Sequence, residues 1–302
     1  MEYRIEHDSM GEVNVPAGAL YGAQTQRAVD NFKVADRLMP ARFVHCLAHI
    51  KSAAAVANST CGSLSVEVAE AIESAAALVA AGEYDEQFPV GVFQTGSGTS
   101  TNMNMNEVLA ALGARGSGQA IHPNDHVNCS QSSNDVIPTC IQVTAMRALC
   151  HVLLPALGKL IDTLAIRGEQ LANVTKTGRT HLMDAMPLTF GQELGAWAAQ
   201  LEDCRQRFID LQARLRQLPI GIAGSQDRRR PSRPRSRLST MPICCCTVSL
   251  IATIVVRFHC APAAVLTRAL IVLSKTPFGW SSPIVASVRE PPNQCDSAFE
   301  PP

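Results

Sequence analysis

The chain has 302 residues and a formal net charge of zero; 46% of its residues are hydrophobic and 17% are charged. This composition excludes a disordered, collagen-like or disulfide-scaffold protein and indicates a soluble globular chain with a sizeable core. Because the total charge is zero, it gives no reason to expect a nucleic-acid or anionic-membrane partner.

The composition changes near residue 221. Residues 1–221 carry 16 basic and 22 acidic residues, whereas residues 222–302 carry 10 basic and 4 acidic residues. The last 81 residues also hold 10 of the 18 prolines but only 2 of the 19 glycines. Because charge and turn-forming residues change together at one point, residues 222–302 are best interpreted as a separate tail.

The beginning of the chain and its thiols bear on the cellular location. Residues 1–8 contain no basic region followed by an apolar run, so we predict no secretory signal and a cytoplasmic protein. Six cysteines of the first part lack the paired spacing of metal ligands, which is typical of free, buried thiols in a reducing compartment. They are Cys46, Cys61, Cys129, Cys140, Cys150 and Cys204.

The first 81 residues predict two kinds of structure. Residues 1–40 are rich in Gly, Pro, Asn and Asp, which predicts loops, a small hairpin and one short helix. From Ala41 to about Ala81 the chain is rich in alanine, and apolar residues recur every three or four positions, which predicts an amphipathic helix. This stripe comprises Phe43, Leu47, Ile50, Ala54 and Ala57.

Two later stretches carry heptad seams. The first comprises Met146, Cys150, Leu153, Leu157, Leu160 and Leu164, with Pro155 inside it as a predicted kink or late start. The second comprises Leu194, Trp197, Leu201, Cys204, Phe208, Leu211, Leu215 and Leu218. Long helices with one apolar seam predict a bundle packed at about 20° and shared between subunits. The alternative is two ordinary antiparallel core helices.

Three polar segments interrupt the helical pattern, and the first runs from Thr95 to Glu107. Its glycines allow a ligand to approach the backbone, and its hydroxyl groups precede a predicted helix start at Asn102 to Val108. Unpaired N–H groups at such a start favour an anion, for example a small carboxylate. The alternative is a Ser/Thr/Gly turn that only caps a helix.

The second polar segment runs from His122 to Asp135 and is predicted to be a loop. Ser132, Ser133 and Asn134 could donate hydrogen bonds to a carboxylate. His122, Asp125 and His126 could suggest a metal, but no third His or Cys follows at ligand spacing, so we predict none.

The third polar segment, Gly178 to Glu193, is also predicted to be a loop. It contains His181, which can exchange a proton near neutral pH. The alternative for such a histidine is an idle side chain that faces solvent.

In their amino-acid sequences and in their order along the chain, the three polar segments resemble the fumarase/aspartase superfamily, and within it class II fumarase. The resemblance extends over about residues 2–221. Two earlier stretches, Asp8 to Val13 and Tyr21 to Ala28, resemble the family as well. His181 stands where aspartase-like sequences tend to have Gln, and Ser133 is the second serine typical of fumarases. Fumarate hydratase is therefore favoured, with an aspartate ammonia-lyase-like enzyme as the alternative.

The resemblance implies the reversible hydration of fumarate to L-malate in the tricarboxylic acid cycle, without metal or other cofactor. It implies that His181 is the acid and base that acts on water. It assigns substrate binding to Ser97, Gly98, Thr99, Ser132, Ser133, Asn134 and Thr180. A secondary dicarboxylate site would comprise His122, Pro123, Asn124 and Asp125.

The resemblance further implies a mainly α-helical homotetramer, with a small N-terminal domain, a long central helical bundle and active sites built from three chains. We expect an N-terminal lyase domain over 1–133, the first part of the bundle over 134–221, and a non-family tail over 222–302. The expected partners are a small dicarboxylate and other copies of the chain, with no nucleic acid and no membrane.

The tail departs from the family, because three groups that the resemblance leads us to expect are absent. These are the mobile-loop serine, the lysine that binds the substrate carboxylate, and the acidic residue that supports the histidine. We interpret the tail as a shifted reading frame, disordered or misfolded, that impairs this truncated chain. Sequencing the gene tests this interpretation. If no single insertion or deletion near codon 221 restores family-like sequence downstream, the interpretation is wrong. Two features of the tail have other interpretations, a membrane span at 238–256 and nucleic-acid binding at 228–237. The alternative for the whole chain is a non-catalytic helical partner.

Overall fold

The computed structural model describes residues 2–219, which are mainly helical, as predicted. Strands β1 (Tyr3–Asp8) and β2 (Gly11–Pro16) form an antiparallel hairpin, and helix α1 (Ala23–Asn31) follows. The predicted hairpin and short helix are thereby confirmed. The Arg27 guanidinium donates to the Asp8 carboxylate at 2.8 and 3.0 Å, which ties the hairpin to α1 and lowers the pKa of Asp8.

The alanine-rich region forms two helices, α2 (Ala41–Thr60) and α3 (Val66–Ala81). The chain turns between them because Gly62 has a φ of +74° and Ser65 caps the second helix by accepting a hydrogen bond from the Val68 N–H. All five residues of the predicted apolar stripe are buried, so the amphipathic pattern is confirmed.

Helix α4 (Thr99–Ser117) begins three residues before the predicted start. The second polar segment, predicted to be a loop, is partly helical. Pro123–Val127 forms one wide helical turn, and α5 (Ser133–Ala148) begins before the segment ends at Asp135. A second wide turn, Leu149–Leu153, connects α5 to α6 (Leu154–Gln170) in a continuous helix of 38 residues. Pro155 lies directly after that turn, where the helical hydrogen bonding is already displaced, so the helix continues.

The loop predicted at 178–193 is wrong: the segment lies mostly in a hairpin. Strands β3 (Thr175–Thr180) and β4 (Met183–Thr189) pair antiparallel, and helix α7 (Phe190–Leu215) follows. His181 and Leu182 form the two-residue turn, with φ values of 52° and 61°. Two positive φ values match the twist of a tight hairpin, and this turn contains no glycine that would announce it in the sequence.

The hydrophobic core lies among α2, α3, α4 and α5, with Leu47, Ile72 and Leu109 completely buried. Helices α6 and α7 pack side by side, and neither contains a fully buried residue. Along the two seams Met146 is buried, and Leu153, Leu160, Trp197 and Leu211 remain exposed. By length and composition alone the 38-residue helix could cross a membrane, a test that the mostly buried core helices of soluble proteins also pass; here 6% of the apolar window is buried.

Four predictions concern residues 222–302, which lie outside the described residues. They are the disordered or misfolded state, the shifted reading frame, the membrane span at 238–256 and nucleic-acid binding at 228–237.

Candidate active site

Two helix N-termini, those of α4 and α5, meet at the centre of the candidate site. Gly98 precedes α4 with a φ of +67°, and a Cβ there would lie 2.9 Å from Cγ2 of Ile137 on α5. Glycine is therefore required at this position both by its backbone conformation and by the close approach of the two helices. The contact joins the first polar segment to α5, two residues beyond the end of the second segment.

Asn102 connects the same two segments through hydrogen bonds. Its Nδ2 donates to Ser133 Oγ at 3.1 Å and to Asn128 Oδ1 at 3.1 Å. The side chain is almost completely buried, so these bonds fix the second segment against α4.

The hydroxyl groups that the first two polar segments were predicted to offer to a carboxylate lie around these two helix ends. Ser97 Oγ and Thr99 Oγ1 are hydrogen-bonded at 2.7 Å, and Ser132 caps α5 by accepting from the Asn134 N–H at 3.3 Å. Ser97, Thr99 and Ser132 are half-buried, and the Asn134 side chain is exposed. Helix N-termini and hydroxyl donors together favour a negatively charged group.

Lys51 is the buried cation behind the site. Its side chain on α2 is completely buried, and its Nζ donates to Asn128 Oδ1 at 2.9 Å and to Gln131 Oε1 at 3.0 Å. Burial lowers the pKa of Lys51 to about 7. Lys51 therefore fixes Asn128 and Gln131 of the second polar segment against α2, and a change in its protonation would alter these two hydrogen bonds.

Glu107, at the end of the first polar segment, holds the start of α1. Its carboxylate accepts hydrogen bonds from the backbone N–H groups of Gly22, Gln24 and Thr25, and from the Thr25 hydroxyl. A carboxylate at a helix N-terminus is stabilised by these donors and by the helix dipole. One family-like stretch near residue 22 is thus connected to another near residue 107.

Within residues 2–219, the third polar segment does not join the other two. Thr180 and His181 are exposed at the tip of the β3–β4 hairpin. In this part of the chain, no hydrogen bond or ion pair connects either residue to the first or second segment.

The predicted secondary dicarboxylate residues form a local, exposed turn. The His122 Nδ1 accepts from the Asp125 N–H at 3.2 Å and lies 3.0 Å from the Asp125 carboxylate. The His126 Nδ1 accepts from the His122 N–H, and Asn124 is exposed. Across the described part of the chain, no three His, Cys, Asp or Glu side chains are grouped to hold a metal ion.

The model of a family described as "Lyase" matches residues 11–227. The chain belongs to this lyase family. It is 56% identical over 219 residues to the class II fumarate hydratase of Xylella fastidiosa, covering 72% of this chain and 46% of the relative. Identity to the class II fumarate hydratase of Mycobacterium tuberculosis is 52%, with the same coverage.

Two solved structures that superpose on this member of the lyase family are also fumarases or fumarate lyases. A class II fumarase from Schistosoma mansoni superposes with a TM-score of 0.68 at 40% identity, covering 72% of this chain and 47% of that chain. A "fumarate lyase:delta crystallin" from Brucella melitensis gives 0.67 at 40% identity, covering 72% of this chain and 52% of that one. The resemblance to class II fumarase is confirmed, and the chain spans about half the length of these relatives.

Lys51 and Glu107 are the residues that sequence reasoning missed. The signal for Lys51 was a charged residue within the alanine-rich apolar stretch of α2. Glu107 had no such signal, because its partners lie more than 80 residues away.

Proposed function

We propose that this chain provides part of a fumarate hydratase site, in which its polar segments bind a four-carbon dicarboxylate. The supporting observation is the meeting of the α4 and α5 N-termini, with Gly98 against Ile137 and the Ser97 and Thr99 hydroxyl groups beside them. This arrangement presents several fixed donors to one carboxylate.

The chemistry of hydration requires such donors. In the reverse direction, dehydration, removing a proton from the carbon next to a carboxylate leaves an aci-carboxylate with additional negative charge, and hydration passes through the same species when the oxygen of water adds to the other carbon. Fixed hydroxyl and amide donors stabilise that charge without reorganisation, and losing one donor typically costs about 3 kcal/mol in the transition state. We assign this role to Ser97, Thr99, Ser132, Ser133, Asn134 and Thr180, with Gly98 allowing close approach.

His181 is the proposed acid and base on the attacking or departing water. Its place in an exposed two-residue turn suits a group that is inserted into a site on another subunit. The segment His122 to Asp125 is proposed as the secondary dicarboxylate site.

The proposed assembly is a homotetramer with sites shared between chains. It is supported by the half-exposed seams of α6 and α7 and by the separation of His181 from the other segments. Residues 1–133 would form the N-terminal domain and 134–221 the first part of the bundle. We further propose a cytoplasmic protein that needs no cofactor and binds neither membrane nor nucleic acid.

Hybrid tetramers test the proposal. The full chain is refolded together with the class II fumarate hydratase of Xylella fastidiosa in which the histidine aligned with His181 is replaced by Asn. We expect the mixture to consume fumarate, because this chain supplies Thr180 and His181 to sites whose remaining groups come from the relative. This chain alone should be inactive, since the family's mobile-loop serine does not occur in it.

The matched control is the same mixture made with the His181→Asn form of this chain, which should stay inactive. Native mass spectrometry establishes whether hybrids form. Hybrids without fumarate hydration would contradict the proposed site and favour the non-catalytic partner. Release of ammonia from L-aspartate would favour the aspartate ammonia-lyase-like alternative.

A further inference from the structure

A cavity of about 330 Å³ lies between α2 and the long helix that contains α5. Each helix contributes three polar residues at positions i, i+3 and i+7, which lie on one helical face. From α2 these are Arg42, His45 and His49, and from the long helix they are Thr144, Arg147 and His151. We name this cavity the basic groove.

The described lining of the basic groove contains two permanently charged cations. Two arginines and three histidines line it, and none of the lining residues that the structure describes is Asp or Glu. Arg42 and Arg147 are exposed and form no ion pair within residues 2–219. Among the described residues, the Asp85 carboxylate pairs with one lining residue, at 2.7 Å from the His45 Nε2.

Arg42 on α2 and Arg147 on the long helix line the same cavity, and two guanidinium groups that share one space repel one another. The described lining is mixed, because apolar residues stand beside the guanidinium and imidazole groups; they are Cys46, Ala80, Ala148 and Val152. An anion in the groove would remove the repulsion between the two arginines.

We propose that the basic groove binds a small, multiply charged oxyanion of the pyrophosphate class. Guanidinium groups donate pairs of parallel hydrogen bonds to phosphate or carboxylate oxygens, and imidazole N–H groups and the Thr144 hydroxyl add further donors. The volume suits a small molecule rather than a macromolecule. Pyrophosphate and a tricarboxylate such as citrate share this chemistry.

Isothermal titration calorimetry on the full chain tests the proposal. Pyrophosphate and citrate are titrated separately into the wild type and into the double variant Arg42→Gln, Arg147→Gln. We expect saturable binding of at least one of the two anions, with a Kd at least tenfold weaker in the double variant. Circular dichroism should show unchanged helicity, because both side chains are exposed and unpaired.

The matched control is the double variant Arg37→Gln, Arg115→Gln, which removes two exposed arginines outside the groove. Its Kd should stay within about twofold of the wild type. The tighter ligand identifies whether the natural anion is a phosphate or a polycarboxylate. Absence of binding, equal weakening in both double variants, or tighter binding of a duplex oligonucleotide that is lost with Arg42 and Arg147 would overturn the proposal.

Discussion

Lys51 illustrates at the residue scale how burial creates a group that a sequence pattern does not reveal. The helix that contains it was predictable, because its apolar residues recur at helical spacing. The partners of Lys51 were not, since Asn128 and Gln131 lie 77 and 80 residues away along the chain. Only the fold brings two amide oxygens to this amine, and no carboxylate shares its hydrogen bonds.

The lowered pKa of Lys51 makes stability depend on pH. With a folded pKa of about 7 and a usual value of 10.5, the unfolded chain binds more protons between these limits, so stability rises as pH increases through this range. We expect the slope of the unfolding free energy in urea to approach about 1.4 kcal/mol per pH unit near pH 8–9 from this group.

The variant Lys51→Met should lose that slope, while Lys159→Met, which changes an exposed lysine, should keep it. Equal slopes for the wild type and Lys51→Met would show that Lys51 keeps its ordinary protonation in the folded chain.

Gly98 gives a second test at the residue scale. Replacing it with Ala places a Cβ 2.9 Å from Ile137 and forces a positive φ on an L-residue, so we expect a loss of about 1–3 kcal/mol in unfolding free energy. Gly116, in the same helix, has open space around it and an ordinary φ. Gly116→Ala should therefore stabilise the chain slightly. Chemical denaturation measures both, and equal effects would contradict the proposed close approach.

At the scale of elements, periodicity predicted the helices, and polar composition misled at two places. The α2 stripe, the first seam and the second seam as far as Leu215 lie on helices, as the three- and four-residue spacing indicates. The last residue predicted for the second seam, Leu218, lies beyond the end of α7 and packs against the core cluster. The segment 178–193 was predicted to be a loop because of its hydroxyl, amide and glycine residues. Strands β3 and β4 form because the backbone N–H and C=O groups of each strand bond to those of the other. Amino-acid composition does not reveal this pairing.

The turn of the β3–β4 hairpin predicts a stabilising substitution. Leu182 has a φ of 61° and its side chain is fully exposed, so leucine suffers the strain of this conformation without gaining burial. Leu182→Asn should raise the unfolding free energy by about 0.5–1 kcal/mol, because Asn tolerates a positive φ. The same change at exposed Met186 within β4 should not stabilise. A decrease for Leu182→Asn would contradict this backbone geometry.

At the scale of the whole molecule, the described residues 2–219 combine a packed core with two helices that remain partly exposed. Residues of α2 to α5 bury one another, whereas α6 and α7 contain no fully buried side chain. Exposed apolar surface is unfavourable by about 25 cal/mol per Å², so these seams favour association. The sequence predicted the seams, but not which neighbours cover them, because that depends on other chains.

The exposed seams predict association of the isolated chain. We expect sedimentation velocity to show oligomers or aggregates in place of a monomer, and Trp197→Glu with Leu211→Glu to reduce them. Met10→Glu, at a still more exposed apolar residue on the N-terminal hairpin, should have no such effect. A wild-type chain that sediments as a monomer at all concentrations would contradict this interpretation.

The most direct measurement for the shared site is a cryo-electron microscopy structure of the hybrid tetramer with a bound dicarboxylate. We predict that His181 of this chain lies within hydrogen-bond reach of a ligand that is also held by a neighbouring subunit at the positions corresponding to Ser97 and Asn134. A hybrid in which the β3–β4 hairpin faces solvent, with no subunit bringing these residues together, would contradict the account.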